Sequence, residues 1–147
     1  MKRLMPTNYF LILLILLVGF HFIAPVVNFT YSPYNYLGIV LIIFGCAINL
    51  WTDALIKSNN TTVKPHLMPS TLITSGSFSF SRHPMYIGMA SILLGASVLA
   101  GSLITFIFPV LYIILMEILF IPMEEANLEK AFGSEYLEYK KKVRRWI

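Results

Sequence analysis

Residues 36–56 read YLGIVLIIFGCAINLWTDALI, and this stretch decides the fold class. Its only charged residue is Asp53, close to its end. A bilayer core asks for roughly 20 consecutive apolar residues in a helix, so the run reads as a membrane span. Three comparable runs lie on either side of it, at about 8–27, 84–100 and 103–121. The third and fourth are separated only by Ala100-Gly101-Ser102, which predicts a tight helical hairpin. The first is too long for a cleaved signal peptide, and no small-residue cleavage site follows it. The composition agrees: 57% of the 147 residues are hydrophobic and only 12% are charged. That leaves too little polar surface for a soluble enzyme of this size, and it excludes disorder and nucleic-acid binding as the main task. The expected fold is an all-α membrane protein. It has four transmembrane helices, a cytoplasmic loop at 57–83 and a C-terminal amphipathic helix within 123–147, in one domain.

The basic residues set the orientation. Lys2 and Arg3 precede the first run, and Lys57, Lys64 and Arg82 lie between the second and third. Lys130, Lys140, Lys141, Lys142, Arg144 and Arg145 follow the fourth. With four spans all 11 fall on one side, and the two opposite loops carry no charge. The positive-inside rule then places both termini and the middle loop in the cytoplasm. The membrane would be the cell inner membrane in a prokaryote and the endoplasmic reticulum in a eukaryote.

In the tail, Leu128, Phe132, Tyr136, Tyr139 and Val143 recur every three or four residues, which predicts an amphipathic helix along the interface. Gly133 should interrupt it and Ser134 restart it. The basic cluster at 140–145 reads as a contact with lipid headgroups. The Asn28-Phe29-Thr30 sequon carries little information.

Chemistry concentrates in two places. The first is Ser81-Arg82-His83-Pro84-Met85-Tyr86-Ile87-Gly88. Proline suits the first position of a helix, so the third span should start at Pro84 and present free N–H groups and a partial positive charge. Arg82 and His83 add donors, which makes a site for a carboxylate or phosphate. The plainer reading has Arg82 snorkelling to headgroups, His83 capping the helix and Tyr86 in the aromatic belt. Gly88, Ser91 and Gly95 read as a small-residue packing face. The second place is Ile121-Pro122-Met123-Glu124-Glu125. Two carboxylates after a proline are ordinary helix-start design, and they are equally able to hold a cation, take a proton or orient a nucleophile across from Arg82 and His83. Asp53 and Glu117 are acids near the ends of apolar helices, where acids are costly and usually paired. Snorkelling accounts for Asp53, and Glu117 stays open. His21 and Cys46 read as core residues. One cysteine excludes a disulfide within the chain, and three scattered histidines give no metal-ligand spacing.

Taken together, the run 72–88 (LITSGSFSFSRHPMYIG) and the tail 124–143 (EEANLEKAFGSEYLEYKKKV) resemble the two signatures of the isoprenylcysteine carboxyl methyltransferases. The related phospholipid N-methyltransferases share the paired glutamates and the basic-Pro-Tyr-Gly region. The resemblance covers about 61–147. It implies an integral-membrane enzyme using S-adenosyl-L-methionine without a Rossmann domain. By position, Ser70, Thr71, Leu72, Ile73, Phe78, His83, Pro84, Met85, Tyr86 and Glu125 would hold the cofactor. Glu124 would face the acceptor, and no metal is implied. The family places an arginine four residues before the first glutamate, where it meets the acceptor; this chain has Phe120 there, with Arg82 or Lys130 as substitutes. The implied partners are membrane lipids and a lipid-like or amphiphilic acceptor, whose accepting atom (O, N or S) stays open. A membrane reductase using a nicotinamide cofactor and a non-enzymatic membrane protein are the alternatives. The first calls for extra basic residues in the middle loop, which has few.

Overall fold

The computed structural model describes residues 5–23, 27, 30–61 and 68–147. Lys2, Arg3, Lys64, residues 24–26 of the first expected span and Asn28 and Phe29 of the sequon lie outside the described residues. Helix α1 (Pro6–Ile23) is followed by α2 (Leu37–Ser58), which a short 3₁₀ turn at Tyr34–Tyr36 leads into. Helix α3 runs Pro84–Ala100 and α4 runs Ile107–Leu115 after a 3₁₀ turn at Leu103–Phe106. A π-helical turn at Met116–Phe120 leads into α5 (Ile121–Phe132), and α6 is Ser134–Lys142. No strand occurs among the described residues.

Among the described residues, three helical runs are long and apolar enough to cross a membrane: Pro6–Ile23, Tyr34–Ser58 and Leu103–Phe132. The third expected span, α3, is a shorter apolar helix of 17 residues. At about 1.5 Å per residue it reaches about 25 Å, a little less than the hydrocarbon thickness. It packs along α2 through matched glycines. A Cβ on Gly38 would strike the Gly95 carbonyl, and one on Gly45 would strike the Gly88 carbonyl. The two backbones therefore run in direct contact, antiparallel, with the small face of α3 meeting one on α2. Leu13 and Leu17 of α1, Tyr86, Met89 and Leu93 of α3 and Phe108, Tyr112 and Met116 form the buried core. The outward faces of α1 and α2 stay apolar and exposed, as lipid-facing helices do.

The end of the fourth span differs from the sequence reading, which stops it at Ile121 and starts a separate helix at Pro122. The helix continues from Leu103 to Phe132. Pro122 lacks an N–H, and its ring crowds the carbonyl one turn back. The π-helical turn makes room: Ile121 N–H donates to the Met116 carbonyl, five residues earlier. Gly101 ends α3 with φ +71°, and Ser97 Oγ ties the hairpin by donating to the Thr105 carbonyl at 2.8 Å. Gly133, at φ 52° and ψ −122°, breaks the tail in a conformation open to glycine. Helix α6 then folds back over the loop that precedes α3. Tyr136 is fully buried, and Tyr139 Oη donates to the Phe78 carbonyl at 2.7 Å. Asp53 pairs with Lys57 one turn later on an exposed face (2.5 Å).

Candidate active site

The site grows from the start of α3. His83 is the helix N-cap and Pro84 the first helical residue, as the sequence pattern requires. Ser81 Oγ accepts the His83 N–H at 3.1 Å and donates to the Arg145 carbonyl at 3.1 Å. Arg82 N–H donates to the Arg144 carbonyl at 3.1 Å. The C-terminal residues thus staple the 81–83 turn.

Glu124 and Glu125 are adjacent on α5 and point about 100° apart, and the structure gives them different surroundings. Glu124 accepts a short hydrogen bond from Tyr86 Oη on one oxygen and faces His83 Nδ1 at 3.1 Å with the other. The rings of His83 and Tyr86 stack at 5.6 Å and 8°. Glu125 is buried among cations: Arg145 forks onto it (Nε 3.0 Å, Nη2 2.9 Å), and Arg82 Nη2 stands at 3.1 Å. Lys140 lies at 3.7 Å and His83 Nε2 at 3.6 Å. The third nitrogen of Arg145 pairs with Glu117, which also accepts from Trp146 Nε1 at 3.0 Å. Glu117, open in the sequence, is thereby paired. Burial acts against the charge of His83, but its bond to Glu124 and the charges of both glutamates outweigh it and raise its pKa above 6.5. The hydrogen bonds from Arg145 to Glu125 raise the arginine further above its ordinary value, so it stays charged.

Beside this cluster lies a cavity of about 230 Å³. Of the residues singled out from sequence, Thr71, Leu72, Ile73, Phe78, Arg82, His83, Pro84, Met85, Tyr86 and Glu124 line it. Ser70 and Glu125 do not. The Ser70 hydroxyl donates to the Asn60 carbonyl at 3.1 Å and helps tie the loop to the end of α2. Glu125 stands behind the wall in the ion-pair cluster. Arg82 Nε and Nη1 are buried with no hydrogen-bond partner among the described residues. Phe120 is buried in the helix core, edge-on to Tyr9 at 5.6 Å, and does not line the cavity.

Sequence reasoning missed several lining residues: Met5, Pro6 and Thr7 at the start of α1, and Asn127 and Tyr139. Tyr139 was visible only as one apolar position of a periodic tail. Nothing in the sequence separates Arg145 from the other basic residues beside it.

These features define a helical integral membrane protein with a charged pocket at one end of its bundle. Residues 34–135 match the phospholipid methyltransferase family, and the chain belongs to it. It is similar to the protein-S-isoprenylcysteine O-methyltransferase of Schizosaccharomyces pombe (36% identity over 83 residues, 54% of this chain and 32% of the relative). The Xenopus laevis protein of the same name is 34% identical over 109 residues, 73% of this chain and 38% of the relative. An uncharacterized protein of Haemophilus influenzae is 36% identical over 63 residues, 43% of this chain and 100% of the relative. The fold resembles that of a eukaryotic intramembrane Ras methyltransferase, isoprenylcysteine carboxyl methyltransferase, with a TM-score of 0.65. That match has 21% identity and covers 96% of this chain and 51% of the other. The chain spans about a third of the length of the two curated methyltransferases and about half of the solved one.

Proposed function

We propose that this methyltransferase-family protein moves a methyl group from S-adenosyl-L-methionine to a lipid-like or amphiphilic acceptor at the cytoplasmic face of the membrane. The observation that carries the reading is one cavity that Arg82, His83, Tyr86 and Glu124 line together. The residues suit the cofactor: Arg82 and the start of α3 offer donors to a carboxylate, and Phe78, Tyr86 and Tyr139 offer aromatic faces to a cation. Bound there, S-adenosylmethionine supplies an electrophilic methyl group on a sulfonium.

The chain's own residues then have separable tasks. Thr71, Leu72, Ile73, Met85 and Met89 make the wall apolar and exclude water. Tyr86 and His83 hold Glu124 in one orientation, so that it meets the acceptor without rearrangement. Each oxygen of Glu124 keeps a lone pair for an acceptor N–H or S–H. A carboxylate acceptor would need a cation instead; Phe120 supplies none, and Arg82 is the cavity-lining group that does. Glu125 supports Arg82 and His83 from behind. Both termini and the loop at 57–83 face the cytoplasm in a four-span arrangement, because all 11 basic residues then share one side. Labelling of a cysteine at Asn59 from the outer side would contradict this topology.

The test is mass spectrometry of amphiphiles bearing a carboxylate, amine or thiol, incubated with the reconstituted protein and methyl-labelled cofactor. Label should enter one class and be lost with Glu124→Gln. Equal labelling by the Gln variant would refute the role of Glu124, and failure of the wild-type protein to bind the cofactor would refute the whole reading.

A further inference from the structure

The cation nearest Glu125 comes from the far end of the chain. We infer that Arg145 is a positioning residue for this site: by clamping Glu125 it directs the His83 imidazole to Glu124. The inference takes its kinetic consequence from the methyl-transfer reading, but its structural consequence stands without it.

Arg145 Nε donates to Glu125 Oε1 and Nη2 to Oε2, a fork that engages both carboxylate oxygens and sets the plane of the carboxylate. Its remaining Nη1 holds Glu117 in the π-helical turn, so one guanidinium ties that turn to α5. The backbone on either side is pinned to Ser81 and Arg82, immediately before His83. Arg145 does not line the cavity, so it acts through other groups. With Glu125 so engaged, His83 Nε2 stays at 3.6 Å from it, beyond hydrogen-bond distance, while Nδ1 reaches Glu124 at 3.1 Å.

Without the fork, Glu125 has free lone pairs and one fewer neutralising charge. The imidazole is then drawn toward Glu125, holds its proton more tightly, and Glu124 loses a donor. The other charged and titratable groups around the cluster are Arg82 beside His83, Tyr86 on α3, Tyr112 on α4, Glu117 in the π-helical turn, Glu129 on α5, and Tyr136, Tyr139 and Lys140 on α6. Arg82 and Lys140 remain in place, so the effect is a shift and not a collapse of the ion cluster.

The experiment is an NMR titration of histidine-labelled protein in detergent, with the His83 signal assigned by its loss in His83→Gln. Arg145→Gln should raise the His83 midpoint by about one pH unit. It should also lower kcat about tenfold while leaving KM for the acceptor near its wild-type value. Arg145→Lys keeps the charge but cannot fork, and should give a smaller shift and recover part of the rate. It also carries the titration if the Gln variant does not fold. Arg144→Gln, which alters an exposed neighbour's side chain, should titrate as wild type. A midpoint unmoved in both Arg145 variants, with only thermal stability reduced, would overturn the inference. Absence of turnover in the wild-type protein alongside a shifted midpoint would instead overturn the methyl-transfer reading and uphold the positioning role.

Discussion

The α2–α3 interface and the junction of α5 with the 81–83 turn are held together by opposite means. Between α2 and α3 there is no charge. Gly38 and Gly45 lie against Gly95 and Gly88, and close backbone contact does the packing. At the junction, three carboxylates (Glu117, Glu124 and Glu125) meet Arg82, His83, Lys140 and Arg145, drawn from four separate parts of the chain. The first interface is tolerant of pH and salt and intolerant of a methyl group. The second accepts changes of shape but depends on every charge having a partner.

The largest break should come from the uncharged side. Gly45→Leu places side-chain atoms against the Gly88 carbonyl and Ile92, where backbone cannot yield. It should cost about 3 kcal/mol or more, read as a lowered unfolding midpoint in detergent. A midpoint like the wild type's would show that the helices separate at little cost. On the charged side, Glu125→Gln leaves the buried Arg82 without its carboxylate and Arg145 with Glu117 alone. A loss of about 3 kcal/mol is expected, because an uncompensated buried charge costs more than the pair contributes. Stability unchanged in the same melt would mean that Arg82 and Arg145 find other partners.

The fold was legible where local chemistry decides it. Pro84 announces the start of α3, Gly133 the break in the tail, and the apolar runs the membrane helices. Pro122 does stand in the first turn of α5, as its sequence suggests; the π-helical turn that joins α5 to the fourth span without a break has no signature in side-chain pattern. The site was half legible for a similar reason. Arg82, His83 and Tyr86 lie on one helix start, and Glu124 stands out as one of two adjacent acids after Pro122. The pairing of Arg145 with Glu125 spans a helix break and 20 residues, and no periodicity links them. Gly88 and Gly95 were visible as a small face, but their counterparts on α2 become meaningful only when the two helices are set side by side.

A finer test separates the junction from the rest by pH. His83 has a raised pKa in the folded protein, so its stabilisation is complete below the unfolded value of 6.5 and is lost as pH rises through the folded value. The stability difference between wild type and His83→Gln should therefore be largest below pH 6.5 and shrink as pH rises through the folded value. A difference that grows with pH would reverse the assignment. The smallest effect belongs to Asp53→Asn, which removes a pair with the exposed Lys57. It should change stability by about 0.5 kcal/mol or less. A larger loss in thermal melts would show that Asp53 does more than reach the interface.

The central claim is that the cavity beside Glu124 holds S-adenosylmethionine, and calorimetric titration of the cofactor into purified protein tests it most directly. The wild type should bind at one site per chain. Tyr86→Ala and His83→Ala should each weaken binding about tenfold or more, as expected for losing a wall of the pocket. His21→Ala, on α1 and outside the cavity lining, should bind as the wild type does. Wild-type affinity retained in both cavity variants would contradict the account and place the cofactor elsewhere in the molecule.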